Sequence, residues 1–102
     1  MSTLLQFQAG ELPSGQCRAY ATGGMTVMVY HLADTFYATQ GLCSHEDMPL
    51  EGGEIKENVI QCPFHDSRFN IRTGKVLSGP AERGLKIFPV TVDGGTVTVT
   101  LP

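Results

Sequence analysis

A chain of 102 residues is long enough for one domain with a modest core and too short for two. Its 41% apolar content is that of an ordinary globular protein, and a formal net charge of −3 disfavours nucleic acid and anionic membranes as partners. An odd count of three cysteines, behind a start with neither a basic region nor a sustained apolar run, argues against a disulfide framework and a secretory signal, and so for the cytoplasm.

The expected elements are short and β-rich, and helix signals are nearly absent. In chain order, strands are expected near Leu4–Gln8, Gln16–Thr22, Thr26–Leu32, Phe36–Thr39, Val59–Gln61, Arg68–Asn70, Leu85–Pro89 and Thr96–Leu101. Gly23-Gly24, Ala33-Asp34-Thr35 and Asp93-Gly94-Gly95 read as hairpin turns, and Thr73-Gly74 marks a further turn. Thr96-Val97-Thr98-Val99-Thr100 alternates with period two, as a half-buried strand does. The strands divide into an outer set (residues 1–39 and 84–102) and an inner stretch (about 40–83). Such a pattern suits an antiparallel sandwich or barrel-like base carrying a small loop-rich lobe.

The inner stretch holds two mixed pairs of metal-ligand type, Cys43-Ser44-His45 and Cys62-Pro63-Phe64-His65, with 16 residues between them. Two thiolates and two imidazoles suit one ion holding all four, or two ions in inequivalent surroundings. Structural zinc sites use spacings of the C-x₂₋₄-C and H-x₃₋₅-H kind, which these loops fit poorly. In a [2Fe–2S] cluster the cysteines of both loops can meet at one iron and the histidines at the other, the ligation of a Rieske centre. The same stretch is acidic: Glu46, Asp47, Glu51, Glu54, Glu57 and Asp66 face one base, Lys56. A solvated loop surface and a face for positively charged partners are both compatible with that charge run.

Cys43-x-His45 followed by Cys62-Pro63-x-His65, then Phe69 and Thr73-Gly74, resembles a Rieske domain. More narrowly, it resembles the small Rieske ferredoxins of bacterial ring-hydroxylating dioxygenase systems. The resemblance runs from Leu12-Pro13-x-Gly15 through Phe36-Tyr37-Ala38 to the terminal hairpin. It implies an all-β fold, an antiparallel Rieske-type sandwich base with a cluster-binding lobe, forming a single domain over residues 1–102. It implies one [2Fe–2S] cluster held by Cys43, His45, Cys62 and His65, with the free edges of the histidines facing solvent. The implied role is that of an electron-transfer component of aromatic catabolism and not an enzyme. Electrons would pass from an NAD(P)H-dependent flavoprotein reductase to a terminal oxygenase, with a monomeric cytoplasmic carrier between them. Glu46, Asp47 and Asp66, beside the histidines, are the candidates for partner recognition. Two alternatives are a small Rieske-like subunit of another oxidoreductase, such as nitrite reductase, and a zinc-binding interaction module.

Departures from the wider family refine the expectation. Quinol-oxidising relatives carry an extra cysteine in each loop, joined as a disulfide. The matching positions here are Met48 and Phe64, which cannot form one. Those relatives also have a tyrosine at the place of Phe69, whose hydroxyl bonds a ligand sulfur. Losing that donor lowers the reduction potential, although Ser67 could still donate; Asp66 adds a charge that opposes reduction. Formal charges point the other way: two ferric ions, two sulfides and two thiolates sum to zero, so neutral imidazoles ease electron acceptance relative to four thiolates. The expectation is a low-potential Rieske centre.

The remaining chemistry-bearing residues read as structural. Ser78-Gly79-Pro80-Ala81 resembles the loop that shields the cluster in this family. Gly41-Leu42 and Leu50 are expected beneath the lobe, and Cys17 as a small, partly buried side chain. His31 lacks a cysteine partner, and Met25, Met28 and Met48 are read as packing.

Overall fold

The computed structural model describes residues 3–22, 24–43, 49–63, 67–79 and 83–102. Among them run eleven strands: β1 (Thr3–Gln8), β2 (Cys17–Thr22), β3 (Met25–Leu32), β4 (Thr35–Gln40), β5 (Glu54–Lys56), β6 (Val59–Gln61), β7 (Arg68–Asn70), β8 (Val76–Ser78), β9 (Ile87–Phe88), β10 (Val90–Asp93) and β11 (Thr96–Leu101). A single 3-10 turn, Ala9–Glu11, follows β1; the Glu11 carboxylate accepts from the Gln8 backbone N–H at 2.7 Å. All strand pairs are antiparallel.

Two sheets build the base, in the orders β1-β11-β10 and β2-β3-β4-β9. In β11 the expected alternation holds: Val97, Val99 and Leu101 are buried and the intervening threonines are not. These side chains meet Phe7, Leu12, Val27, Val29, Phe36, Ala38 and Phe88 in one apolar core between the two sheets. His31 lies in this base and is structural. Its ring stacks on Phe36 with centroids 4.0 Å apart, and Nδ1 lies 2.7 Å from the Leu12 carbonyl oxygen.

A third sheet, β5-β6-β7-β8, forms the lobe. Strand β3 explains how the lobe attaches. Val27 and Val29 face the base core, while Met28, Tyr30 and Leu32 face a second core shared with Leu50, Ile60, Phe69, Ile71 and Leu85. Period-two side chains thus place two cores on opposite faces of one strand, and Val27 to Tyr30 are all fully buried. The molecule is layered as sheet, core, sheet, core, sheet.

The lobe leaves and rejoins the base at one place. Strand β4 pairs with β9 through Ala38↔Phe88 and Thr39↔Ile87. One residue further, the Gln40 N–H donates to the Lys86 carbonyl at 2.9 Å. Near this junction Gly74 and Gly84 let two chain segments cross, and a Cβ on either would collide with backbone. On Gly74 (φ +76°) it would meet the Leu85 carbonyl oxygen, and on Gly84 that of Gly74. The contact is sealed by the Leu85 N–H donating to Gly74 O at 2.7 Å.

The expected strands are all present, Val59–Gln61, Arg68–Asn70 and Thr96–Leu101 with the expected ends and the others with shifted ones. The seventh expected strand shrinks to Ile87–Phe88, because Leu85 bonds across to Gly74 instead of joining the base ladder. Strands β5, β8 and β10 are additional to those expected. Glu54-Ile55-Lys56 and Val76-Leu77-Ser78 are three residues each, and their pairing with β6 and β7 is what makes them strands. Gly24 sits in the expected turn after β2 with φ +77°, whereas Gly23 lies outside the described residues.

Candidate metal centre

Each cysteine loop is the tip of an antiparallel stem. The first stem is closed at its neck by a bridge between Leu42 and Pro49 and by the Leu50 N–H donating to Gly41 O at 2.9 Å. Its root is pinned to β3, where the Gly41 N–H donates to Thr26 O at 2.7 Å. Gly41 lies so close to Thr26 that a Cβ would collide with that side chain. The second stem is the β6–β7 hairpin, with Gln61 opposite Arg68. Its neck closes through the Cys62 N–H donating to Ser67 O at 2.7 Å.

Cys43 and Cys62 therefore stand at the necks of two separate loops, and both are fully buried. They belong to the same core cluster, with Met28, Tyr30, Leu32, Leu50, Ile60, Phe69, Ile71 and Leu85 around them. Two thiols from distant loops, brought into one dry apolar pocket, fit a soft iron site: coordination deprotonates thiols, and an apolar shell excludes water. The partners proposed from the sequence, His45 and His65, lie outside the described residues, as do Glu46, Asp47, Met48, Phe64, Asp66, Pro80 and Ala81. Among the described residues, no group of three or more His, Cys, Asp or Glu side chains comes together.

The hydroxyls near the thiols can be assigned. Thr39 Oγ1 donates to the Gln40 carbonyl at 2.9 Å, so its one proton is committed. Tyr30, whose oxygen lies 2.8 Å from Thr39 Oγ1, is then the donor to it. Burial pushes the Tyr30 phenol well above its usual range. Phe69 is fully buried in the thiol cluster and brings no hydroxyl there, and Ser67, whose carbonyl accepts from the Cys62 N–H, is fully buried.

Cys17 lies on β2 opposite Tyr30, half-buried against the same core. Burial first, and then the charge of Glu51, pushes its thiol up, so it stays protonated and unreactive. Leu50 and Met28 are fully buried beneath the lobe and Met25 packs against the base core, as expected. The acids Glu51, Glu54 and Glu57 are exposed, so this part of the acidic stretch is solvated. Glu51 also accepts from the Ala19 N–H on the outer edge of β2, at 3.4 Å.

Paired stems with buried thiols at their necks, on a three-sheet antiparallel frame, define an iron–sulfur protein of Rieske type. The Rieske [2Fe-2S] domain profile matches residues 3–89, and the chain belongs to that family. It is accordingly a domain for one Rieske [2Fe–2S] cluster. Among curated relatives, the ferredoxin component of biphenyl 2,3-dioxygenase from Rhodococcus jostii (strain RHA1) is 34% identical over 93 residues, covering 91% of this chain and 87% of that one. Among solved structures, the ferredoxin of carbazole 1,9a-dioxygenase from Nocardioides aromaticivorans IC177 superposes with a TM-score of 0.89 at 32% identity, covering 95% and 96% of the two chains. A ferredoxin chain in a complex of reduced oxygenase and oxidised ferredoxin of carbazole 1,9a-dioxygenase gives 0.88 at 36% identity, covering 94% and 91%. A nitrite reductase small subunit from Mycobacterium tuberculosis, at 16% identity and a TM-score of 0.85, shares the fold alone. No helix among the described residues is long and apolar enough to cross a membrane.

Proposed function

We propose that this chain is the ferredoxin of a ring-hydroxylating dioxygenase system. It takes one electron from an NAD(P)H-dependent flavoprotein reductase and hands it to a terminal Rieske non-haem iron oxygenase. The observation that carries the reading is the pair of fully buried thiols, Cys43 and Cys62, at the necks of two loops that each hold a histidine. Relatives named as ferredoxin components support it, at about a third identity over nearly the whole chain. We assign Cys43 and Cys62 to one iron and His45 and His65 to the other, within a single domain over residues 1–102 whose cluster-binding part spans about 40–83.

A bound cluster supplies reversible uptake of one electron. The chain does the rest. Cys43 and Cys62 would hold one iron, and Leu50, Ile60, Phe69 and Ile71 pack around their thiols and exclude water. Dry walls lower the local dielectric and raise the cost of added negative charge, which favours a low potential. His45 and His65 would hold the other iron through one ring nitrogen each and offer the route by which the electron leaves. Such a carrier meets its partners through small, transient contacts steered by charge, works as a monomer in the cytoplasm, and turns over no substrate of its own.

Iron and acid-labile sulfide should be found at two each per chain, and the dithionite-reduced protein should give the low average g value of histidine-ligated clusters by EPR. Colourless, zinc-loaded protein would refute the assignment. Reversing charge with Glu46→Lys and Asp47→Lys should slow oxygenase turnover severalfold at low salt and leave the visible spectrum intact.

A further inference from the structure

Gln40 ends β4 and stands three residues before Cys43. Its carboxamide makes two hydrogen bonds of opposite sense. The side-chain oxygen accepts from the Lys86 N–H at 2.8 Å, and the side-chain nitrogen donates to the Leu42 carbonyl at 2.8 Å. Its own backbone N–H donates to the Lys86 carbonyl at 2.9 Å. One partly buried amide thus joins the point where the lobe leaves the base to the point where it returns.

The Leu42 carbonyl belongs to the peptide unit that carries the Cys43 nitrogen. That unit is planar and trans, so fixing the direction of its oxygen fixes the direction of its N–H and the start of the Cys43 side chain. Only a residue with a donor and an acceptor on one short side chain serves both Leu42 O and Lys86 N. Glutamate is the same size but brings two acceptors, which would set a carboxylate against the Leu42 carbonyl. Methionine matches the length and brings no strong hydrogen-bonding group.

We infer that Gln40 is a positioning residue for the cluster: it orients the Leu42–Cys43 peptide and ties the first cysteine loop to the Lys86 return segment. The inference rests on the assignment of Cys43 as a cluster ligand.

Gln40→Glu and Gln40→Met, compared with the parent protein after loading with iron and sulfide, test it. Gln40→Glu keeps an acceptor for Lys86 and sets a carboxylate against the Leu42 carbonyl, whereas Gln40→Met removes both bonds without adding charge. Loss of one such bond corresponds to about a tenfold change in an equilibrium. Both variants should release iron to a chelator about tenfold faster than the parent, and the EPR g values of their reduced clusters should shift. The apo proteins should keep the far-UV circular dichroism of the parent, which separates a positioning effect from misfolding. Should Gln40→Met fail to fold, Gln40→Glu alone decides. Parent-like iron release and parent-like g values in Gln40→Glu would overturn the inference. A parent protein lacking the histidine-ligated signal would overturn the ligand assignment instead, so the two failures are distinct.

Discussion

At the scale of single residues, one aromatic side chain in the thiol pocket sets which hydroxyls it holds. Phe69 is fully buried with Cys43 and Cys62, and the nearby Tyr30 hydroxyl is committed to Thr39. Phe69→Tyr would return a donor to this pocket. A hydrogen bond that strengthens on reduction raises the potential, by about 59 mV for each tenfold gain in a one-electron equilibrium. A rise of about 60 mV is expected, checked by potentiometric titration of the EPR signal. Two acidic groups, Tyr30 and Cys17, have their titration pushed upward by burial. Each holds its proton in the folded state above the pH where the unfolded chain releases it. Their stabilisation is therefore complete below the ordinary values, about 8.5 for the thiol and about 10 for the phenol, and is lost as pH rises beyond them. Thermal midpoints should stay level up to about pH 8.5 and then decline. The decline above pH 10 should be shallower in Tyr30→Phe. That variant should also lose about 1 kcal/mol at neutral pH with the Thr39 bond.

At the scale of elements, turns decide the register of the base. The β3–β4 connection is a two-residue turn between Leu32 and Thr35, and both its residues lie in the left-handed region, Ala33 at φ +48° and Asp34 at φ +66°. Such a turn matches the twist of the strands but favours Asn-Gly over Ala-Asp. Ala33→Asn with Asp34→Gly should stabilise the protein by about 1 kcal/mol, seen as a rise of about 4–8 °C in the calorimetric midpoint. The turn itself was legible from Ala33-Asp34-Thr35, as were the long strands with clear alternation. The lobe strands β5 and β8 were not, because three residues carry too little pattern and their neighbours decide them. Within the site, the two cysteine loops and the burial expected for Leu50 could be read directly. Gln40 could not, since a glutamine at a strand end reads as ordinary polar surface until both of its bonds are seen.

At the scale of the whole molecule, the two cores differ in what completes them. The base core is built of apolar side chains without a thiol, among strands of up to eight residues, whereas the lobe core has two thiols in its midst and strands of three residues. Stripping the iron with a chelator should therefore loosen the lobe first. Amide exchange across residues 54–78 should quicken at least tenfold while β3, β4 and β11 keep their protection, and uniform loss of protection would contradict this. The layering also shows in the sequence. β3 reads as a continuous apolar run because it is walled on both faces, and that run would otherwise suggest a parallel sheet. The place where the lobe departs and returns carries a further consequence. Since Gln40 and Lys86 sit side by side at the end of the β4–β9 ladder, everything between them is topologically one long hairpin loop. A segment with adjacent ends can be cut out or transplanted without rethreading its host. Joining residue 40 to residue 86 by a tight turn should leave a colourless miniature sandwich. The excised cassette would leave behind Met28, Tyr30 and Leu32, one wall of the thiol pocket, so a host hairpin would gain a redox centre only beside an apolar face of its own.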